Sequence, residues 1–339
     1  MYSRREFGRL AIAGLSTAML PVSKLWAQAE AANSTVRGVK LGIIGTGFRG
    51  NGGGGRGGVA NASPAPPALP PVPAGVDPID VFIDDLKSIG VYNLEMNGGG
   101  EGAPRVVGAT VSGNTPSPLT PEYTQTREAQ RQWRLTSTVD RQREVARKFK
   151  AAGINLFSGV VTIADDCTDP EIDAIFKQMD ALGVKVFCTN GTRVGMGPRI
   201  APFAEKYKIR PAFHTHAMVN DPNEVASPAS LDRLLNMSPM FMVNLDIGHF
   251  TAGNQDAVAY IRAHHDRITH LHVKDRKRDN GPSVKWGTGD TPINQCLTMI
   301  RDNRWPIYCI IERDNRDEEG TAIELTKKYM DYMKRVLES

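Results

Sequence analysis

Four side chains able to bind a cation recur at matching points of the sequence: His214 in PAFHTH, Asp246 in VNLD, His272 in THLH and Glu312 in CIIE. Each closes a short run of apolar or β-branched residues, the pattern of a buried strand. Their separations of 32, 26 and 40 residues each match one strand-plus-helix unit. Residues at equivalent ends of neighbouring barrel strands converge, and converging buried charges need a counter-ion to offset desolvation. Two imidazoles and two carboxylates suit Mn, Zn, Fe or Co better than Mg or Ca. The expectation is a divalent-metal site made by His214, Asp246, His272 and Glu312. Strand alternation points His216 to the side of His214, and His270 and Lys274 to that of His272. Glu312, His216, His249 and Lys274 are the candidates for proton transfer or substrate contact. His270 lies deeper, in a packing or hydrogen-bonding position. The run from Lys274 to Asp279 is a solvated loop apart from Lys274 and Asp275, and His264 and His265 suit a helix end.

The elements that must position these groups alternate from Gly38 onward. Strands are expected near Lys40–Ile44, Tyr92–Met96, Asn155–Val160, Lys185–Cys188, Arg210–His214, Phe241–Asp246, Ile268–Val273 and Ile307–Glu312. Helical patterns at Ile79–Ile89, Arg141–Ala152, Glu171–Leu182, Ile200–Tyr207, Asp256–His265 and Ile293–Asn303 separate them, with Gly90, Gly153 and Gly183 as stop signals. Eight such units predict a (β/α)8 TIM barrel with its active site at the carboxyl ends of the strands. The domain runs from 38 to 339. Two long insertions interrupt it, at about 49–78, rich in Gly and Pro, and at about 98–132, with Trp133 as an anchor. The first of these has the composition of a mobile loop able to cover the barrel mouth, or of an insertion without a role.

Gly45-Thr46-Gly47-Phe48-Arg49-Gly50 matches a dinucleotide fingerprint, but it opens onto Asn51 and four glycines rather than a helix, and no acidic strand end follows. The fingerprint alone is therefore weak evidence for a nicotinamide cofactor.

With the motifs Asp246-Ile247-Gly248-His249, His270-Leu271-His272-Val273-Lys274-Asp275, Gly287-Thr288-Gly289-Asp290 and Ile311-Glu312 in place, the chain resembles the sugar phosphate isomerase/epimerase family of xylose isomerase-like barrels. The likeness covers most of the sequence after Lys40 and is weakest across 49–132. It implies a metal held by Glu, Asp, His and Glu, and two glutamates acting as bases on opposite faces of a ketose. His214 stands where many members carry Glu. An imidazole whose nitrogen is spent on a metal cannot also collect a proton, so the expected reaction is one-sided, with Glu312 as base. The expected activity is isomerisation or epimerisation of a free or oxidised sugar. The alternative is elimination or hydrolysis of a 3-keto-glycoside, which shares the first step; an endonuclease IV-like enzyme and a non-catalytic sugar-binding protein are further alternatives.

Composition narrows the partners. The net charge of +4 falls to about +1 once Arg4, Arg5, Arg9, Lys24 and Glu6 are set aside, which gives no electrostatic case for nucleic acid. The expected partner is a small carbohydrate, and an oligomer is compatible with the sequence. Cys167, Cys188, Cys296 and Cys309 lack any paired spacing and suit buried positions. Residues 1–29 combine Arg4-Arg5, an apolar run from Leu10 to Leu20 and Ala27-Gln28-Ala29, resembling a twin-arginine signal. Export to a bacterial periplasm is expected, with membrane contact only during transit.

Overall fold

Eight parallel strands close on one another in the computed structural model, which describes residues 34–45, 69–96, 103–104, 106, 121–313 and 318–339. They are β1 (Val39–Ile44), β2 (Asn93–Met96), β3 (Asn155–Val160), β4 (Val186–Thr189), β5 (Arg210–His214), β6 (Met242–Asp246), β7 (Ile268–Val273) and β8 (Tyr308–Ile311). Each pairs with the next, and β8 returns to β1 with Cys309 opposite Leu41. The expected (β/α)8 barrel is therefore the observed one.

Alternation along each strand divides the core in two. Leu41, Ile43, Leu94, Phe187, Phe213, Val243, Leu245, Leu271, Val273, Cys309 and Ile311 pack outward in the large apolar layer under the helices. A smaller cluster of Ile44, Val160, Cys188 and Ile310, joined by Phe157 and Tyr308, belongs to the inward set. Gly42 is also inward: a Cβ there would lie 2.4 Å from the Asn93 carbonyl oxygen and 2.9 Å from Ile310 Cδ1.

The helices are α1 (Pro78–Ile89), α2 (Pro121–Thr136), α3 (Asp140–Ala151), α4 (Asp169–Ala181), α5 (Gly197–Tyr207), α6 (Pro228–Leu235), α7 (Ile247–Ala252), α8 (Ala257–His264), α9 (Ile293–Asn303) and α10 (Ala322–Glu338). Gly90, Gly153 and Gly183 carry the positive φ that ends a helix before the next strand. No helix among the described residues is long and apolar enough to cross a membrane.

Helix α2 occupies the end of the insertion expected at 98–132, and its anchor differs from the one expected. Trp133 is only half-buried, whereas Arg127 and Arg134 are buried. Arg127 Nη1 is 2.7 Å and Arg131 Nε 3.1 Å from the Glu171 carboxylate, which also caps α4 through the Thr168 amide. Arginine stems pack like apolar groups once their heads are paired, a pattern invisible to hydrophobic periodicity. The segment 1–29 and most of the segment 49–78 lie outside the described residues, as does the greater part of the Gly45 to Gly50 motif.

Candidate active site

Strand order carries the four expected donors to one place. β5 ends at His214, β6 at Asp246, β7 holds His272 one residue from its end, and Glu312 follows β8, its amide bonded to the Val273 carbonyl at 3.1 Å. One ligand atom from each lies within 4.8 Å of all the others. His272 Nδ1 is 3.0 Å from Glu312 Oε2, and His214 Nε2 is 3.9 Å from Asp246 Oδ2. Asp246 is fully buried and the Glu312 side chain is 18% exposed, so Glu312 is the carboxylate of this set that meets the barrel mouth.

Partners behind the donors fix which nitrogen faces the centre. His214 Nδ1 donates to Asn244 Oδ1 at 2.5 Å, which leaves Nε2 turned toward Asp246. His272 Nε2 lies 3.0 Å from Glu95 Oε2, which turns Nδ1 toward Glu312. Asp246 also caps α7 by accepting the His249 amide at 2.7 Å.

Lys274 enters the same cluster. Its ammonium is 2.8 Å from Asp246 Oδ2 and 3.2 Å from Glu312 Oε2, in a side chain only 2% exposed. Gly248 makes room for it, since a Cβ there would meet Lys274 Cγ at 2.6 Å. Burial alone would raise Glu312, but Lys274 and His272 outweigh it and hold the carboxyl well below the usual range. Burial dominates at Asp246 and pushes it up despite Lys274. Burial opposes protonation of His272, yet Glu95 and Glu312 push it up to about 10.

His216 and His249 border the centre, their rings 4.9 and 5.7 Å from that of His214. His216 Nδ1 is 2.5 Å from Glu224 Oε1 and Nε2 is 3.2 Å from Asn190 Oδ1. The guanidinium of Arg276 donates to His249 Nδ1 at 2.5 Å, so the ring proton sits on Nε2, 3.8 Å from Asp246 Oδ2. Burial, reinforced by Lys274 and Arg276, keeps this imidazole neutral by pulling its pKa down. Asp275 is not part of the cluster: it accepts the amides of Gly287, Gly289 and Thr291 and holds that loop in place.

Sequence reasoning missed Glu95. It stands in β2, fully buried, with Oε2 2.9 Å from His270 Nε2 as well as 3.0 Å from His272. Its only signal is a charged residue inside the buried run Asn93-Leu94-Glu95-Met96. Burial would raise its pKa, but the two imidazoles hold it well below the ordinary range. His270, expected to be the deeper ring, is deep: it contacts Glu95, Thr269 Oγ1 at 2.7 Å and the Phe157 ring.

An inosose dehydratase of Lactiplantibacillus plantarum is 24% identical over 153 residues, 40% of this chain and 50% of that protein. The chain thus spans about half the length of the curated relatives it matches. A sugar phosphate isomerase/epimerase from Parabacteroides distasonis superposes with a TM-score of 0.51 at 17% identity, over 77% of this chain and 89% of that one. The IolI protein, crystallised with a bound zinc atom, gives 0.50 at 13% identity, over 76% and 91%. At such identities the two structural likenesses speak for the fold alone. The family model of the xylose isomerase-like TIM barrel matches residues 108–336, more than half of the sequence, and the chain belongs to that family.

Proposed function

We propose that this chain is a divalent-metal-dependent enzyme that removes a proton from the carbon next to a sugar carbonyl. The observation that carries the reading is the four-donor cluster at the mouth, with Glu312 as its one partly exposed carboxylate. The residues fit a cation. Asp246 Oδ2, His272 Nδ1 and Glu312 Oε2 are buried and converge on one another, the last two 3.0 Å apart, with Lys274 at ion-pair distance from both carboxylates. The mixed nitrogen and oxygen set, His214, Asp246, His272 and Glu312, suits Mn, Zn, Fe or Co. A cation bound there would polarise the sugar oxygen and offset the negative charge that develops on it.

The chain's own groups supply the rest. Glu312, ionised at neutral pH, takes the proton at its exposed oxygen. Lys274, beside it, steadies negative charge on the reacting sugar oxygen. His249 presents an Nε2 proton from a neutral ring, and His216 is backed by Glu224, so both can hydrogen-bond or protonate the sugar. If the proton returns to a neighbouring carbon or to the opposite face, the outcome is isomerisation or epimerisation.

The asymmetry of the site favours a second outcome of the same first step. With Glu312 as the single glutamate of the four-donor set and imidazoles bordering the centre, a β-substituent can leave with a proton from His216 or His249, giving dehydration or expulsion of an aglycone from a 3-keto-glycoside. The inosose dehydratase relatives support that outcome. The amino-terminal export pattern supports a free or oxidised sugar, since phosphorylated sugars do not accumulate in the periplasm. The test is a panel of sugars and keto-sugars in D2O with the Mn-loaded protein. Deuterium is expected at one carbon, with Glu312→Gln slowing exchange about 100-fold or more. No exchange anywhere in the panel sinks the reading, and the product distinguishes isomerase, epimerase and lyase.

A further inference from the structure

A second set of donors lies inside the barrel behind the mouth. Glu95 of β2, Cys188 of β4, and His270 and His272 of β7 each offer one ligand atom, all within 4.8 Å of one another, and all four residues are at most 1% exposed. They come from three strands and belong to the inward-facing set, so their convergence is a product of barrel closure rather than of one local turn.

We propose that these four residues bind a second transition-metal ion of the zinc or cobalt class, with His272 bridging it to the mouth site through its two ring nitrogens. The reading goes beyond the proposed function, which requires only the mouth cation. Three observations support it. First, Glu95 Oε1 and His270 Nε2 are buried and make no hydrogen bond among the described residues, although the other Glu95 oxygen is 2.9 Å from that nitrogen. Second, the Cys188 thiol is buried among polar groups, 3.5 Å from Asn244 Oδ1 and within hydrogen-bond reach of the Glu95 carboxylate. Third, the charges match across the two sites: the Cys188 thiolate, a bridging His272 imidazolate and the carboxylates of Glu95, Asp246 and Glu312 offset two divalent ions and the Lys274 ammonium, with His270 neutral, where unbalanced charge is costly.

The donor set of one sulfur, two nitrogens and one oxygen is a closed tetrahedral combination and selects a borderline-soft metal over Mg or Ca. In such a site donors stand roughly 3.3–3.8 Å apart, given bonds of about 2.0–2.3 Å. The Glu95 contacts of 2.9 and 3.0 Å need to open by only a few tenths of an ångström. Loading of both ions displaces the thiol proton of Cys188 and both ring protons of His272 to solvent, and the buried position means that loading accompanies folding.

The experiment is production of the full chain in cobalt-supplemented minimal medium, followed by elemental analysis and absorption spectroscopy. Two cobalt ions per chain and a thiolate-to-cobalt charge-transfer band are expected. Cys188→Ser should lower the count to one and abolish the band, whereas His214→Ala should lower the count and keep it. A wild-type protein without the band overturns the proposal even if the variants do not fold, and leaves Glu95 as an orienting carboxylate. Loss of metal in Cys188→Ser with none lost in His214→Ala would instead sink the mouth site and leave this one standing.

Discussion

Replacing Lys274 by Met separates the two things its ammonium does. Lys274 lies between two carboxylates, 2.8 Å from Asp246 and 3.2 Å from Glu312, and is almost wholly buried. Met fills the same space without the charge, so the carboxylates lose their partner. Breaking a buried pair in this way costs about 3–5 kcal/mol. The effect on metal binding has the opposite sign. An ammonium and a cation that share the same two oxygens stand within about 4 Å, where each pair of unit charges repels by about 4 kcal/mol at an effective dielectric of 20. The flexible lysine can swing aside and relieve most of that, so the expected gain in Mn affinity on its removal is at least about tenfold, or 1.4 kcal/mol. Urea unfolding in the presence of a chelator and Mn titration calorimetry measure the two effects. A variant as stable as wild type when stripped, and no tighter for Mn, would refute the placement of Lys274 as the occupant of the cation's position.

Two further substitutions follow from the same geometry. Burial pushes Glu171 up, but Arg127, the Thr168 amide and Arg131 outweigh it and set its pKa at about 2, below the ordinary value; its contribution is therefore complete above about pH 4.5 and lost as pH falls through 2. Glu171→Gln should cost about 1–3 kcal/mol at neutral pH and flatten the acid limb of the stability curve, read by urea midpoints from pH 7 to 2, and an unchanged limb contradicts the assignment. Gly248→Ala places a Cβ 2.6 Å from Lys274 Cγ and 2.9 Å from its carbonyl oxygen, so deuterium exchange into substrate should fall more than tenfold at a stability loss of about 1–3 kcal/mol. Unchanged exchange would show that the position of Lys274 does not matter to the chemistry.

The barrel was legible because its strands are buried on both faces and therefore appear as short apolar runs; β3, β5 and β7 have the boundaries their composition predicts. The mouth donors were legible for a related reason, since a strand-end position repeats once per βα unit. Glu95 lacked that handle. It lies 175 residues from His270, and the pairings of β2 with β1, β1 with β8 and β8 with β7 bring them within reach of each other. Helix α2 was hidden for another reason: its buried face is made of Arg127 and Arg134, residue types that pattern as solvent-facing, and the carboxylate that buries them, Glu171, lies on another helix. The Gly287 to Asp290 motif drew notice as a whole, but its tie to Asp275 rests on backbone amides, which leave no trace in side-chain spacing.

The pairing of β8 with β1 has a consequence for when the site exists. Glu312 follows the last barrel strand, and its amide is fastened to β7 only once β8 is seated between β7 and β1. Cys309 meets Leu41 across 268 residues of sequence, a contact of high order that a growing chain makes late. A chain still emerging from the ribosome can hold His214, Asp246 and His272 in a partial sheet, but it has no Glu312 to take a proton. On the proposed reading, proton abstraction would therefore begin only with ring closure, and the unfinished barrel would lack its base.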